Sequence, residues 1–321
     1  MMNAGSPAAP VRTNNRLAAR LIAEMRLAAL VRTTDAVREL SGTRFVFDRG
    51  AFFLAILRAS AGAITDWPGG RQGHDEGGIS INALSHSMRR PFETVRRHVN
   101  ALIAAGLCVR SASGVVVPSR LRDDPVVAGV LVQLHDLLVW GITGLKEFGV
   151  PLPRTAVGVP YRPEITLAAS IDSALGAFEN VGTTFENWLE LAVVGAVMLA
   201  SARPVTLDPE LAARYSEADT VPPVGLRVPV SAAQVSRALG IPYSTVRRQV
   251  LAATASGLLA EHRGGVIVTD AFLGGQVAAE ASASIASRAG ALLGRLVSGG
   301  FPFDDPEQAY IGGPPRLVGF D

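Results

Sequence analysis

One stretch of the chain occurs twice. The segment Pro91–Leu107, PFETVRRHVNALIAAGL, returns as Pro242–Leu258, PYSTVRRQVLAATASGL. A constant shift of 151 residues aligns the two copies without a gap, and the same shift carries Gly114 onto Gly265, beyond the repeated helix. Because the match extends past one helix, we expect the repeated unit to be a whole domain and the chain to contain two related halves.

Each copy predicts a short helix, a turn, a longer helix and a hairpin. In the first copy a helix over Ile81–Met88 precedes a helix that starts at Pro91, since proline is tolerated in the first helical turn. Gly106 ends the longer helix where a left-handed residue is favoured. Two short apolar segments within residues 107–117 then predict a two-stranded hairpin. This order of elements is that of a winged helix-turn-helix.

The predicted fold class is mainly α with small β-hairpin wings, formed by internal duplication of a winged helix-turn-helix domain with flanking helices. Apolar spacing predicts the flanking helices at Arg16–Leu40, residues 48–64, Pro125–Phe148, Ile165–Phe178, Phe185–Ala200 and Gln276–Val297. The expected organisation is a disordered tail at 1–15, a first half at 16–153 with its motif at 79–118, a second half at 154–304 with its motif at 230–269, and a tail at 305–321.

Three segments carry more specific expectations. The helix near the N-terminus has six arginines between Arg12 and Arg38, and we expect them to form a solvated face. An insertion inside Pro204–Pro229 is proline-rich, which predicts an excursion on the surface. The segment Gly300–Asp321 is predicted to be weakly ordered.

Composition narrows the class of protein. Apolar residues make up 48% and charged residues 18% of the chain, which is typical of an ordered core. The single cysteine, Cys108, excludes a disulfide framework and a multi-cysteine metal site and fits a reducing cytosol. No apolar run follows a basic N-terminus, so a signal peptide is not expected. Val126–Leu145 is interrupted by polar residues, so we expect a buried helix there and no membrane span.

The sequence contains no recognisable catalytic or metal-binding motif. The histidines His74, His86, His98, His135 and His262 lack metal-ligand spacing, and no nucleophile elbow is present, so we expect no catalytic activity, metal or cofactor. The Gly-rich segment at residues 67–78 is interpreted as a connector, because no strand and no Lys-Ser or Lys-Thr pair accompany it. The pair His135 and Asp136 is interpreted as a satisfied buried pair, with a ligand pocket as the alternative.

The second copy resembles the winged helix-turn-helix of bacterial regulators of the GntR, IclR and MarR kind. The resemblance rests on a serine, a short helix, the Leu-Gly-Ile turn before Pro242, Ser-Thr-Val-Arg-Arg, Gly-Leu and a Gly-Gly wing. It covers about forty residues per half and extends to no effector-binding domain, so a small-molecule effector remains unknown. The resemblance implies binding of double-stranded DNA.

The candidate DNA-binding residues lie on the face of each longer helix opposite its apolar ladder and in the adjoining turn and wing. Threonine can donate to phosphate, and arginine can bind phosphate or the paired acceptors of guanine. Glu93 in the first copy is replaced by Ser244 in the second, and we expect the two helices to prefer different bases at this position. The candidates are Arg89, Arg90, Phe92, Glu93, Thr94, Arg96, Arg97 and Asn100 in the first copy, and Tyr243, Ser244, Thr245, Arg247, Arg248 and Arg263 in the second.

Positive charge is concentrated on the two copies. Ser85–Arg110 holds five arginines against Glu93, a balance of +4, and Gln234–Arg263 holds four against Glu261, a balance of +3. Their sum exceeds the net charge of +2 for the whole chain, so the remainder is acidic. A local basic patch of this kind is typical of nucleic-acid binding.

The resulting hypothesis is a sequence-specific, double-stranded DNA-binding transcriptional regulator with two recognition helices, at residues 91–105 and 242–256. The alternative is a tandem winged-helix adaptor for protein interactions, or a plasmid replication initiator. The flanking helices Val126–Leu145 and Gln276–Val297 also offer surfaces for a homodimer. We expect the protein in the cytoplasm, associated with the nucleoid; activation, repression and architectural roles all stay open.

Overall fold

The computed structural model describes residues 13–43, 47–60, 64, 67–68, 77–180 and 184–321. The protein is mainly helical, with 65% helix, 7% strand and two small antiparallel hairpins. The helices are α1 (Asn15–Ser41), α2 (Phe47–Ala59), α3 (Ile81–Ser87), α4 (Phe92–Ala104), α5 (Pro125–Glu147), α6 (Pro163–Leu175), α7 (Trp188–Leu207), α8 (Pro209–Arg214), α9 (Ala232–Leu239), α10 (Tyr243–Ala255), α11 (Asp270–Leu273) and α12 (Gln276–Ser298). The strands are β1 (Val109–Ser111), β2 (Gly114–Val116), β3 (Leu259–His262) and β4 (Gly265–Val268).

The elements of the two copies coincide under the 151-residue shift. It carries α4 onto α10 and α5 onto α12 with identical bounds, and it places α3, β1 and β2 within one residue of α9, β3 and β4. The first block, residues 79–118, and the second block, residues 230–269, each contain the short helix, the longer helix and the hairpin of one copy. Each hairpin is antiparallel, and an isolated bridge joins it to the segment before the short helix, Ile79 to Val115 in the first block and Val230 to Val266 in the second. The observed similarity therefore extends from the bridge through the helix that follows the hairpin.

The turn between the two helices of each block has the same geometry. Arg89 has φ 48° and Gly240 has φ 62°, so both occupy the left-handed region. The Ser85 hydroxyl donates to the Arg90 carbonyl at 2.6 Å, and the Ser236 hydroxyl donates to its counterpart at 2.7 Å. Only the second copy has glycine at the left-handed position, where glycine has no steric cost.

One continuous apolar core joins the two halves. Helix α2 packs on the first block and α7 packs on the second, while α1 contacts α2, α5, α7 and α12. Trp188, at the start of α7, stacks on Phe178 with ring centroids 4.1 Å apart and lies 5.3 Å from Phe52 of α2. Its indole nitrogen donates to the Met88 carbonyl at 3.1 Å. The two blocks are thereby held in one body.

The predicted solvated face of α1 is wrong, because three of its arginines are buried. Arg16, Arg20 and Arg26 expose less than a tenth of their surface. Arg16 donates to the main-chain oxygens of Glu217 and Leu273, each at 3.0 Å. A spacing pattern detects charge on a helix but not the carbonyl groups of another segment that can accept hydrogen bonds from it.

The insertion exposes residues 207–210 but is also packed against the rest of the fold. Helix α7 continues through Pro204 to Leu207, with Val205 buried, and the chain then forms α8. Ser216 is buried, and its carbonyl accepts from the backbone N–H of Arg16 at 2.9 Å. Arg227 is also buried. This segment covers the N-terminal end of α1 and satisfies donors there.

The prediction of a weakly ordered segment at Gly300–Asp321 is also wrong. Phe301 and Phe303 are buried in a cluster with α5 and α12. Farther along, the Phe320 carbonyl accepts from Gln234 of α9 at 2.8 Å. Aromatic side chains and main-chain acceptors anchor a segment whose composition alone suggests a loose tail. Of the predicted disordered tail at 1–15, residues 1–12 lie outside the described residues, as do the Gly-rich residues 69–76. The rest of that tail is ordered, since the Asn14 N–H donates to Glu217 at 3.1 Å and α1 begins at Asn15.

Helices α5 and α7 are long and apolar enough to cross a membrane by length and composition alone. In the fold, 67% of the most apolar window of α5 and 56% of that of α7 are buried. Packing against other helices therefore accounts for much of their apolar character.

Candidate nucleic-acid interface

Helix α4 is amphipathic, with a buried apolar side and an exposed polar side. Val95, Val99 and Leu102 are at most 1% exposed and pack into the core. The exposed residues of the other side are those predicted as contacts: Phe92, Glu93, Arg96, Arg97 and Asn100, while Thr94 is half-buried. The helical period therefore separates core residues from candidate contact residues.

Helix α10 repeats this arrangement. Val246, Val250 and Ala253 are buried. The exposed residues at its N-terminal end are Tyr243, Ser244, Arg247 and Arg248, with Thr245 half-buried as its counterpart is in α4. Each block thus places an aromatic residue, a hydroxyl group and an arginine pair on one side of a helix.

The N-terminus of both helices lacks a capping side chain. Pro91 and Pro242 occupy the N-cap positions, and neither residue has a side chain that can accept a hydrogen bond from the first turn. By contrast, Ser231 and Gln234 close the N-terminus of α9 with a capping box. Uncapped N–H groups and the positive end of the helix dipole form an environment suited to phosphate.

The arginine pairs of the two helices differ in their partners. The Arg96 guanidinium contacts the Glu93 carboxylate at 2.6 Å, and both side chains are more than half exposed. Arg97, Arg247 and Arg248 have no ion pair or side-chain hydrogen bond within the described part of the chain. An exposed pair such as Arg96 with Glu93 stabilises by less than about 1 kcal/mol, so phosphate can compete for the arginine.

Arg90, one of the predicted contacts, is instead committed to the fold. Its guanidinium lies 2.5 Å from the Asp48 carboxylate and 5.0 Å from the centre of the Trp188 ring. The sequence contains a signal that could have revealed this, because the 151-residue shift pairs Arg90 with Ile241, which is buried. Arg89, the other turn residue, is exposed in the left-handed turn and has a partner of its own.

The hairpins add two further basic residues. Arg110 of β1 donates to the Asn100 side chain at 3.0 Å, so this predicted contact residue is linked to the first hairpin. Arg263 is exposed in the turn between β3 and β4. The first hairpin therefore supports α4, whereas the second presents an arginine at its tip.

Two residues with reactive side chains, Cys108 and His135, are buried away from the exposed sides of α4 and α10. Cys108 is 1% exposed, and burial raises the pKa of its thiol to about 12, so the thiol stays protonated at neutral pH. Across the described ranges, no three His, Cys, Asp or Glu side chains form a metal-binding group. His135 is fully buried and its two ring nitrogens contact Asp136 at 2.8 Å and the Tyr161 hydroxyl at 2.6 Å. This pair is satisfied within the core.

Comparison with known proteins adds no relative. No family model, no curated protein and no solved structure matches the chain. The geometry of α4 and α10 is therefore the basis for assigning a function.

Proposed function

We propose that this protein is a sequence-specific regulator of transcription that binds double-stranded DNA through two winged helix-turn-helix domains related by internal duplication. Helices α4 and α10 are the two recognition helices. The protein acts in the bacterial cytoplasm, on the nucleoid. Its role is binding rather than catalysis.

One observation supports this proposal most strongly: the same uncapped, basic helix end occurs twice at equivalent positions. Chance surface arginines need not recur at matching positions beside matching turns. The open first turn of each helix can accept phosphate oxygens, and the adjacent arginines add positive charge. A helix entered N-terminus first is the standard geometry of major-groove docking by helix-turn-helix proteins.

The exposed residues suggest individual roles. Arg97, Arg247 and Arg248 bind phosphate or guanine, since nothing in the described fold competes for them. Phe92 is 44% exposed and Tyr243 is 52% exposed, and an exposed ring at this position can contact a thymine methyl group. The half-buried hydroxyls of Thr94 and Thr245 donate to the phosphate backbone of the DNA. Arg263, at the tip of the second hairpin, approaches a minor groove.

The second block is proposed as the stronger electrostatic contact, although the first has more arginines. In the first block, Arg90 points into the fold and Arg96 is paired with Glu93. Both arginines of α10 are uncommitted within the described structure. Because the core joins the two blocks, binding of one raises the effective concentration of the other at a neighbouring half-site.

Of the two flanking helices considered as a dimer surface, only α12 has an exposed side that a second copy could contact. Between Val126 and Leu145, α5 has no exposed residue, because other helices surround it. Helix α12 leaves one side exposed along its length. A second copy would therefore contact α12.

The decisive experiment selects duplexes from a random pool and then titrates a selected duplex by fluorescence anisotropy over a salt series. We expect Arg247→Ala with Arg248→Ala to weaken binding and to reduce the slope of log K against log salt by about 0.9 for each phosphate that the variant no longer binds. Arg96→Ala with Arg97→Ala should do the same to a smaller extent.

A matched control removes the same charge outside both blocks. Arg154 and Arg214 are exposed, and their replacement by alanine should leave the salt slope unchanged. Absence of binding at low salt would refute DNA binding and leave the adaptor as the remaining hypothesis. If only one arginine pair mattered, the other block would be a structural or partner-binding copy.

A further inference from the structure

A cavity lies between α1, α7 and α12, away from both proposed recognition helices. Its volume is about 180 Å³, and its wall is mostly apolar, with Ala23 and Leu27 from α1, Ala196 from α7 and Ile285 from α12. An apolar cavity of about 150 Å³ is large enough to bind benzene. This cavity can therefore hold an aromatic ring or a short hydrocarbon chain.

Arg20 makes the cavity chemically unusual. Its side chain lines the cavity and is buried, with a relative exposure of 9%. None of its three guanidinium nitrogens has a hydrogen-bond partner among the described residues. Leaving a buried charge without partners is costly, and native proteins almost always satisfy such groups.

The neighbouring arginines are already engaged. Arg26 donates to the Ser173 carbonyl at 2.8 Å, and Arg227 pairs with Asp270. Arg16 is held by main-chain carbonyls of two other segments. The charged side chains that line the cavity are these arginines and Arg20, with no carboxylate among the described lining residues.

Arg20 is therefore the one arginine of the described lining whose guanidinium has no hydrogen-bond acceptor. Burial, with a smaller effect of Arg16, lowers the pKa of Arg20 to about 10, and the guanidinium is still a cation at neutral pH.

We propose that this cavity binds a small monoanionic carboxylate with an apolar body, and that Arg20 binds the carboxylate. The planar fork of a guanidinium matches the two oxygens of a carboxylate and binds them with parallel hydrogen bonds. One carboxylate supplies the hydrogen-bond acceptors that the Arg20 guanidinium lacks. The apolar wall accepts a ring or chain of about six to eight carbons, by comparison with the benzene-sized cavity.

A second cavity, on the other side of α12, does not have this chemistry. Its volume is about 400 Å³. Among its lining residues, Asp172 and Arg295 contact each other at 2.9 Å. Asp172 also binds Arg58 of α2. The other two lining arginines, Arg26 and Arg288, donate to the Ser173 carbonyl and the Ser284 hydroxyl, each at 2.8 Å, so every arginine that lines this cavity has a hydrogen-bond partner.

The ligand proposal does not depend on DNA binding, and its test uses the whole chain without DNA. Calorimetric titrations with octanoate and benzoate are compared with octanamide and benzamide, which have nearly the same shape without the charge. We expect saturable binding of the acids at one site, about tenfold or more tighter than the amides, because a hydrogen-bonded charged group distinguishes them.

Variants separate the charge from the cavity. Arg20→Met keeps the length of the side chain and should reduce the ratio of acid to amide affinity to about one, while Arg20→Lys retains part of it. Ala196→Leu fills the cavity and should weaken acids and amides alike. Arg154→Met, an exposed replacement of the same kind, should leave both affinities unchanged.

Arg20→Met should fold, because an unpaired buried charge is replaced by an apolar side chain. Circular dichroism verifies this for each variant. Equal binding of acid and amide by the unmodified protein, no saturable binding of either acid, or an acid preference that survives in Arg20→Met would each overturn the proposal.

Discussion

One difference between the exposed sides of α4 and α10 is a carboxylate. Glu93 holds Arg96 in an ion pair, whereas Ser244, at the equivalent position, leaves Arg247 uncommitted within the described structure. The carboxylate also adds a negative charge beside the open helix end, where it repels phosphate. If α4 docks on DNA as proposed, Glu93 therefore opposes binding to the phosphate backbone.

Replacing Glu93 by serine tests this role. We expect Glu93→Ser to raise the affinity for a random-sequence duplex by about two- to fivefold, because the exposed ion pair is worth less than about 1 kcal/mol. The slope of log K against log salt should steepen by about 0.9 if the released Arg96 binds one phosphate. Anisotropy titrations over a salt series measure both quantities.

The reciprocal change provides the control. Ser244→Glu places a carboxylate three residues before Arg247, the spacing at which Glu93 pairs with Arg96, and should lower affinity and slope. Unchanged titrations in both variants would exclude a role for this position in DNA binding.

At the level of elements, local sequence predicts most of what the blocks contain. Apolar spacing and the terminating glycines place α4 and α10 within about two residues, because helix ends depend on local backbone preference. The partners of Arg90 could not be predicted in this way, since Asp48 and Trp188 lie far from it in the sequence. The burial of Arg20 could not be predicted either, because distant segments form the cavity wall. A pattern in one helix does not show which segment will cover it.

In the first hairpin, Gly114 occupies a position where a side chain would collide with the backbone of Ile79. Gly114 has φ 138°, a conformation that side chains rarely adopt, and a Cβ atom added there would lie 2.6 Å from the Ile79 carbonyl oxygen. Ile79 forms the bridge that joins the preceding segment to the hairpin through Val115. The absence of a side chain is what lets the two backbones approach.

We expect Gly114→Ala to reduce the free energy of unfolding by about 2 kcal/mol, through backbone strain and disruption of this bridge. Urea denaturation measures the change. Ala112→Ser, an exposed substitution in the same hairpin, should stay within about 0.5 kcal/mol of the unmodified protein. Equal midpoints for Gly114→Ala and the unmodified protein would contradict the proposed constraint.

At the scale of the whole molecule, the C-terminal segment connects the two halves. It packs Phe301 and Phe303 beside α5 and later binds α9 through the Phe320 carbonyl. Along the way, the Asp136 carboxylate of α5 accepts from the backbone N–H groups of Ile311 at 3.0 Å and Gly312 at 2.7 Å. The sequence predicts that Asp136 is buried and satisfied, but backbone donors leave no trace in a side-chain pattern, so their location could not be predicted.

Asp136→Asn tests whether this attachment holds the segment in place. An amide has one acceptor oxygen where the carboxylate has two, so at least one of these N–H groups faces the amide nitrogen and loses its partner, and the free energy of unfolding should fall by about 1–3 kcal/mol. Hydrogen exchange should become faster across residues 306–313, while α4 and α10 keep their protection. Asp304→Asn, in the same segment but exposed, should change neither quantity. Unaltered exchange at Ile311 and Gly312 in Asp136→Asn would show that the segment is held by its buried aromatic residues alone.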